Sequence, residues 1–363
     1  MSAPIRLTPH KLKKLAKDTQ QSAEAIALRY VSDSEEGIRR QRQGNDFVYF
    51  WKGRKVTDEK TIQRIQSLVL PPAWEEVWIC RHANGHLQAT GKDARGRKQY
   101  KYHPLWSRLR NHTKFSQLHE LGRRLPQIRE RLDADLSRRG LSRGKVLAAV
   151  VSILLRTGIR MGSQEYEQLY GSFGLTTLKD RHARISGSQV RFVFKGKKGV
   201  QQDLSLKSKR LARIVQQCRD IPGQELFQYY DEEGQHAPIG SGDVNDYIKE
   251  ISGGQFTAKD FRTWTGTVAA LKALHELGCT PEKKEARQRV VQALDIVSEV
   301  LGNTRAVCKK YYVHPALLEW YECEKLQPFL DKINEIRKPV KGLYSEEEIL
   351  LEILARAGAP AIT

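Results

Sequence analysis

The chain has 363 residues, more than the roughly 100–200 of a usual single domain, so two domains and a tail are expected. Its 62 lysines and arginines against 42 acidic residues leave a net charge of +20, an excess that points to a polyanionic partner, nucleic acid first. Five scattered cysteines with no Cys-x-x-Cys pair argue against a disulfide framework or a zinc site.

The opening segment, MSAPIRLTPHKLKK, lacks the apolar core of an export signal. The most apolar run, Val146 to Leu155, is well short of the roughly 20 residues that span a bilayer. No membrane partner is expected, and with free cysteines the expected place is the cytoplasm, at the nucleoid if the source is bacterial.

From Asp46 to Tyr102, short β-type runs such as Phe47–Trp51 and Val77–Cys80 alternate with turn signals such as Ala83-Asn84-Gly85-His86. This predicts a small sheet-rich domain. Past Pro104 the period becomes helical, with Leu118, Leu121, Leu125 and Leu132 among charges, then Ser142 as N-cap of an apolar helix over 146–155. Val190, Phe192 and Phe194 alternate with Gln189, Arg191 and Val193 up to Gly196-Lys197-Lys198-Gly199, and the pattern resumes at Val200, Leu204 and Leu206: a hairpin. Helices are predicted over 258–277 and over 284–301, the latter opened by Thr280-Pro281 and stopped by Gly302. A terminal helix follows over 346–356, with a capping box from Ser345 to Glu348. The expected class is α+β: a β-rich domain over 1–107, a mainly helical domain over 108–322 and an extension over 323–363.

Several residues in this frame suit phosphate chemistry. A tyrosine that attacks phosphorus needs cations or donors around it, because its ordinary pKa is near 10. Tyr312 follows Lys309 and Lys310, yet local sequence does not separate it from Tyr311. Arg160, between Gly158 and Gly162, and Arg262 each offer a planar, permanently charged fork to phosphate oxygens. Taken singly, either reads equally as a solvated arginine. Asn303, after Gly302, offers an amide donor or a helix cap. Lys195, Lys197 and Lys198 crowd one turn, where repulsion favours proton loss, so one of them could act as an acid or simply grip phosphate. Arg97, Lys98, Gln99, Tyr100, Lys101 and Tyr102 interleave cations and aromatics, as a DNA-reading strand or an amphipathic surface strand would.

In their order, these segments resemble the type IB DNA topoisomerases, most closely the compact poxvirus and bacterial form. Arg160 lies in Ile159-Arg160-Met161-Gly162, followed by Tyr166 and the run Gly174 to Lys179, similar to the family's first-arginine helix and the strand after it. Lys197 matches the lysine of the Gly-Lys hairpin, and Lys259 with Arg262 matches the Lys-Asp-x-Arg-Thr segment. Tyr312 follows Asn303 by nine positions, the interval between phosphate-binding residue and nucleophile in the poxvirus form, which selects Tyr312 over Tyr311. Asn303 stands where many members have histidine, and Lys198 where many have an acidic residue.

The resemblance implies two lobes clamping duplex DNA, preferably supercoiled, by a monomer. It implies Tyr312 as nucleophile, Arg160, Arg262 and Asn303 on the phosphate, and Lys197 with Lys259 as the proton source. Arg97, Lys98, Gln99, Tyr100, Tyr102 and Tyr166 would contact DNA. Neither a metal nor another cofactor is expected, in keeping with the lack of a Walker motif or a metal-ligand cluster in the sequence. A tyrosine recombinase, with its usual His-x-x-Arg in place of Lys259-Asp260-Phe261-Arg262, and a non-catalytic basic DNA-binding protein are the competing readings.

Overall fold

A computed structural model describes residues 18–44, 46–94 and 96–357; the opening basic segment read above lies outside them. The chain divides into two compact units between Gln117 and Leu118.

The first unit contains helix α1 (Thr19–Glu24), strands β1 (Ile38–Gln43), β2 (Asp46–Trp51) and β3 (Arg54–Lys55), helix α2 (Glu59–Ser67), strands β4 (Glu75–Ile79), β5 (Leu87–Lys92) and β6 (Lys98–Tyr102), and helix α3 (Pro104–Ser116). The strands form one antiparallel sheet in the order β3-β2-β1-β4-β5-β6. Alternation gives it one apolar face: Ile38, Val77, Ile79 and Ala89 bury with Ile65 of α2. Helix α3 belongs to this unit because Trp106 and Leu109 bury against Ala23, Ile26 and Leu28. A boundary at residue 107, as sequence composition suggested, would cut that helix; the change to helical period comes before the change of core.

The second unit is mainly helical. Helices α4 (Leu118–Leu136), α5 (Arg143–Thr157) and α6 (Gln164–Tyr170) precede an antiparallel sheet of β7 (Ala183–Ser186), β8 (Gln189–Lys195) and β9 (Gln201–Lys207). Next come α7 (Lys209–Arg219), the small ribbon β10 (Gln228–Tyr230) and β11 (His236–Pro238), α8 (Ser241–Ser252), α9 (Ala258–Leu277), α10 (Lys283–Leu301), α11 (Arg305–Tyr311), α12 (Pro315–Glu322), α13 (Gln327–Glu335) and α14 (Ser345–Ala357). Helix α9 is central, packing on α4, α5, α10 and α14.

The β8–β9 hairpin pairs in unbroken register from Gln189↔Lys207 to Lys195↔Gln201, and Val190, Phe192 and Phe194 are the buried side of β8. Two local expectations are corrected. The run Gly174 to Lys179, expected as a strand, contains a 3-10 turn at Leu175–Thr177, closed when Thr177 N–H donates to the Gly174 carbonyl at 2.8 Å. Ser142 does sit at the N-cap of α5, but its hydroxyl makes no capping bond. The box expected at Ser345 and Glu348 is shifted by one residue: Glu347 accepts from the Tyr344 N–H at 2.9 Å, so Tyr344 takes the cap position. Residues 323–357 pack into the second unit through α14 rather than trailing from it.

Candidate active site

Four of the residues singled out above meet where α5, α9, α10 and α11 end or begin. Helix α5 stops at Gly158, whose φ of +60° is the left-handed conformation glycine adopts without strain. The chain leaving that turn carries Arg160 off the helix. Its backbone is pinned by Leu175, whose N–H donates to the Arg160 carbonyl at 2.8 Å. Gly174 makes that approach possible, since a Cβ there would lie 2.5 Å from the Met161 carbonyl oxygen.

Helix α10 ends at Gly302 with φ +56°, leaving the last carbonyls of the helix unpaired within it. Arg160 donates to the Gly302 carbonyl at 3.0 Å and to the Oδ1 of Asn303. Arg262, in the second turn of α9, donates to the Leu301 carbonyl at 3.1 Å and to the Gly158 carbonyl. The two guanidiniums are thus fixed by helix-end carbonyls, neutral acceptors that orient a cation without cancelling its charge. Neither has a carboxylate among its hydrogen-bond partners.

That arrangement is electrostatically unfavourable in the absence of an anion. Burial, then repulsion from Arg160, pushes the Arg262 pKa down to about 10, against the opposing pull of Tyr312. Burial lowers that of Arg160 as well, again opposed by Tyr312. Arg262 is 4 % exposed, and its Nε and the Nδ2 of Asn303 are both buried with no hydrogen-bond partner. Buried donors of this kind each cost about 1–3 kcal/mol, a cost that an entering phosphate would relieve.

Tyr312 caps α11, and the guanidinium carbon of Arg262 lies 5.2 Å from its ring centroid. Tyr311 points elsewhere: it is 37 % exposed and its ring faces Lys310. The geometry therefore separates two tyrosines that local sequence could not. Residues unnoticed in the sequence hold Tyr312 in place. Thr267 donates to its carbonyl at 3.1 Å, and Gly266 leaves room for it, because a Cβ would stand 2.8 Å from that same oxygen. A glycine four residues after Arg262 in a helix was the available signal of a close approach.

Residues 99–346 match the family described as eukaryotic DNA topoisomerase I, catalytic core, and residues 46–93 match bacterial DNA topoisomerase IB, N-terminal domain. The chain belongs to the type IB DNA topoisomerases. It is 30 % identical over 296 residues to the DNA topoisomerase 1B of Acanthamoeba polyphaga mimivirus, covering 79 % of this chain and 88 % of the relative. To the DNA topoisomerase 1B of Vaccinia virus (strain Copenhagen) it is 23 % identical over 270 residues, 72 % of this chain and 79 % of the relative. Among solved structures, the XerH site-specific recombinase bound to difH substrate overlaps at a TM-score of 0.34 and 14 % identity, over 52 % of this chain and 48 % of that one, a score that carries no argument. Family membership decides against the tyrosine-recombinase reading of the sequence.

Of the other residues picked out in this topoisomerase, the three in the second unit are exposed. Lys197 is exposed at the hairpin tip, next to Lys198, whose φ is +64°. The turn end of the hairpin does reach the site, since the side chain of Gln202, paired with Phe194, lies against both Gly196 and Gly302, where a Cβ would intrude. Lys259 is exposed one turn before Arg262 on α9. Tyr166 lies on α6, 37 % exposed, its ring 5.6 Å from that of Tyr170.

In the first unit, two cations of the β6 segment are already paired. Arg97 bonds Asp93 at 2.6 Å, Gln99 donates to Asp93 at 2.9 Å, and Lys98 bonds Asp33 at 2.5 Å. Tyr100 and Tyr102 stack with centroids 6.0 Å apart and remain exposed. Nothing in the sequence pattern announced Asp33 as the partner of Lys98, because it is remote along the chain. Among the described residues there is no group of three or more His, Cys, Asp or Glu placed to hold a metal ion, and no helix is long and apolar enough to cross a membrane.

Proposed function

We propose that this topoisomerase relaxes supercoiled duplex DNA by transient cleavage of one strand through Tyr312. The phenolic oxygen attacks a backbone phosphorus, the bond to the 5′ oxygen breaks, and a 3′-phosphotyrosyl ester and a free 5′-hydroxyl result. The proton lost by the phenol is matched by one supplied to the leaving oxygen, for which Lys197, assisted by Lys259, is the proposed donor. Arg160, Arg262 and Asn303 hold the non-bridging oxygens. One ester is exchanged for another, so the scheme balances without ATP or a metal, and the 5′-hydroxyl can re-attack once the strand has rotated.

The observation that carries this reading is a set of donors with no carboxylate partner among the described residues, with Arg262 over the Tyr312 ring and two buried donor atoms left without partners. Preorganised donors at an oxyanion are worth on the order of 10²–10³ in rate each. The two lobes are proposed to close on duplex DNA as a clamp, in a protein that works as a monomer, with Tyr100, Tyr102, Tyr166 and the cations of β6 among its DNA contacts.

The test is incubation with negatively supercoiled plasmid in EDTA without ATP, alongside Tyr312→Phe and Tyr311→Phe. Wild type and Tyr311→Phe relax the plasmid and leave protein-linked DNA after denaturation; Tyr312→Phe does neither. Relaxation by Tyr312→Phe, or a linkage mapping to another residue, refutes the assignment.

A further inference from the structure

Glu347 of α14 is 3 % exposed, and its carboxylate gathers four donors from three parts of the second unit. Arg129 of α4 reaches it with both terminal nitrogens, at 2.6 and 2.8 Å. The Tyr344 N–H donates at 2.9 Å and the Trp264 indole N–H at 3.0 Å. A buried carboxylate needs such donors, so this cluster fixes the position of each contributor. Arg129 is itself held by the Gly342 carbonyl at 2.6 Å and covered by the Tyr344 ring.

Trp264 is the informative partner. It is 1 % exposed and follows Arg262 by two residues on α9, so at 100° per residue it projects from nearly the opposite side of the helix. Its ring lies against Gly122, where a side chain would not fit. Arg262 and Gly266 share the face turned to Tyr312. Helix α9 is therefore held from behind at Trp264 and engaged in front at Arg262. A rotation of roughly 10° about its axis would move a guanidinium at the helix rim by about 1 Å, a displacement on the scale that costs about 10² in rate when it misplaces a reacting group.

We propose that Glu347 is a positioning residue for strand cleavage: through the Trp264 indole it sets the rotation of α9 and so the placement of Arg262 against the scissile phosphate. This rests on the role proposed for Arg262 above. The terminal helix α14 would then be a working part of the active site although none of its side chains meets DNA there.

The experiment measures single-turnover cleavage of a duplex oligonucleotide by the full chain carrying Glu347→Gln or Trp264→Phe, each in the wild-type and Arg262→Lys backgrounds. Trp264→Phe removes the indole donor and leaves a smaller aromatic ring with the Glu347 carboxylate intact, so it is a second, independent break of the same contact. Binding of uncleaved duplex and thermal melting are measured on the same samples. We expect each substitution to slow cleavage about tenfold in the wild-type background and less than twofold beside Arg262→Lys, with duplex affinity unchanged. Equal losses in both backgrounds, or losses matched by weaker duplex binding, overturn the proposal and leave the carboxylate a purely structural role. Wild-type protein that forms no covalent adduct overturns it too, by removing the Arg262 reading beneath it, an outcome distinguishable because no variant then has a cleavage rate.

Discussion

The guanidinium of Arg262 stands over the ring of Tyr312, 5.2 Å from its centroid, and both belong to one interlocked set of helix ends. One turn further along the Arg262 helix, Gly266 and Thr267 meet the Tyr312 backbone. The proposed phosphate ligand and the proposed nucleophile are therefore positioned by the same helix, and disturbing that helix disturbs both.

Gly266→Ala is expected to act on cleavage more than on folding. The added Cβ would stand 2.8 Å from the Tyr312 carbonyl oxygen and 2.9 Å from a Leu301 methyl, so Tyr312 must shift. Overpacking of this kind costs about 1–3 kcal/mol, partly offset by the better helix propensity of alanine. Single-turnover cleavage should fall by about 10- to 100-fold while binding of uncleaved duplex holds. A variant that cleaves at the wild-type rate would show that Tyr312 tolerates the displacement.

Asn303→Asp changes one atom's chemistry without changing shape. It replaces the unpartnered Nδ2 with a carboxylate oxygen beside Arg160 and Arg262, two cations whose pKa values burial has lowered. The new ion pair should raise the melting temperature of the free protein. It should also repel the phosphate and take up its ligands, slowing cleavage by about 10²–10³-fold. Calorimetry and cleavage assays on the same preparation would check the opposed signs; a variant both less stable and fully active contradicts the prediction.

Lys98 is engaged by Asp33, which also accepts from Thr90 at 3.0 Å and whose pKa is lowered chiefly by the lysine. Asp33→Asn frees that cation. If β6 faces DNA, the variant should bind linear duplex more tightly at low salt, and the slope of log affinity against log salt should steepen by about one unit. An unaltered slope would place Lys98 off the DNA.

Stability should decline on mild acidification. Burial holds His86 and His182 below the ordinary imidazole range; at His182 the neighbouring Arg181 and Lys179 add to the effect. Each Nδ1 accepts a backbone N–H, from Val31 at 3.1 Å and from Lys179 at 3.0 Å. Below pH of about 6.5 the unfolded chain takes up protons that these folded imidazoles resist, so the unfolded state binds more protons and is favoured as pH falls. The slope should approach about 1.4 kcal/mol per pH unit for each histidine. Urea melts between pH 7.5 and 5 would read it, and His182→Asn, which retains the acceptor without the proton site, should flatten the profile.

Much of the local architecture is legible in the linear chain because it depends on near neighbours. The alternation along 189–195 and the Gly-Lys-Lys-Gly turn predict the hairpin, and the helical period over 258–277 matches α9 at both ends. The family is legible as well, since its motifs are short segments in a set order. Where elements were misread, a side chain or a distant core intervened: Thr177 closing a turn on Gly174, Glu347 rather than Glu348 reaching back to cap α14, Trp106 tying α3 to α1.

The amino-acid order alone thus determined which residues are available for phosphate chemistry and which elements carry them. Tertiary structure decided what surrounds them. Arg160 finds its acceptors 141 to 143 positions away, Trp264 finds Glu347 83 positions away, and Lys98 is neutralised from another part of its unit. Helical and strand periods are set by steric and hydrogen-bonding preferences within a few residues. Charge pairing, orphaned donors and room for a carbonyl are set by which surfaces meet when the core closes, and no local pattern encodes that.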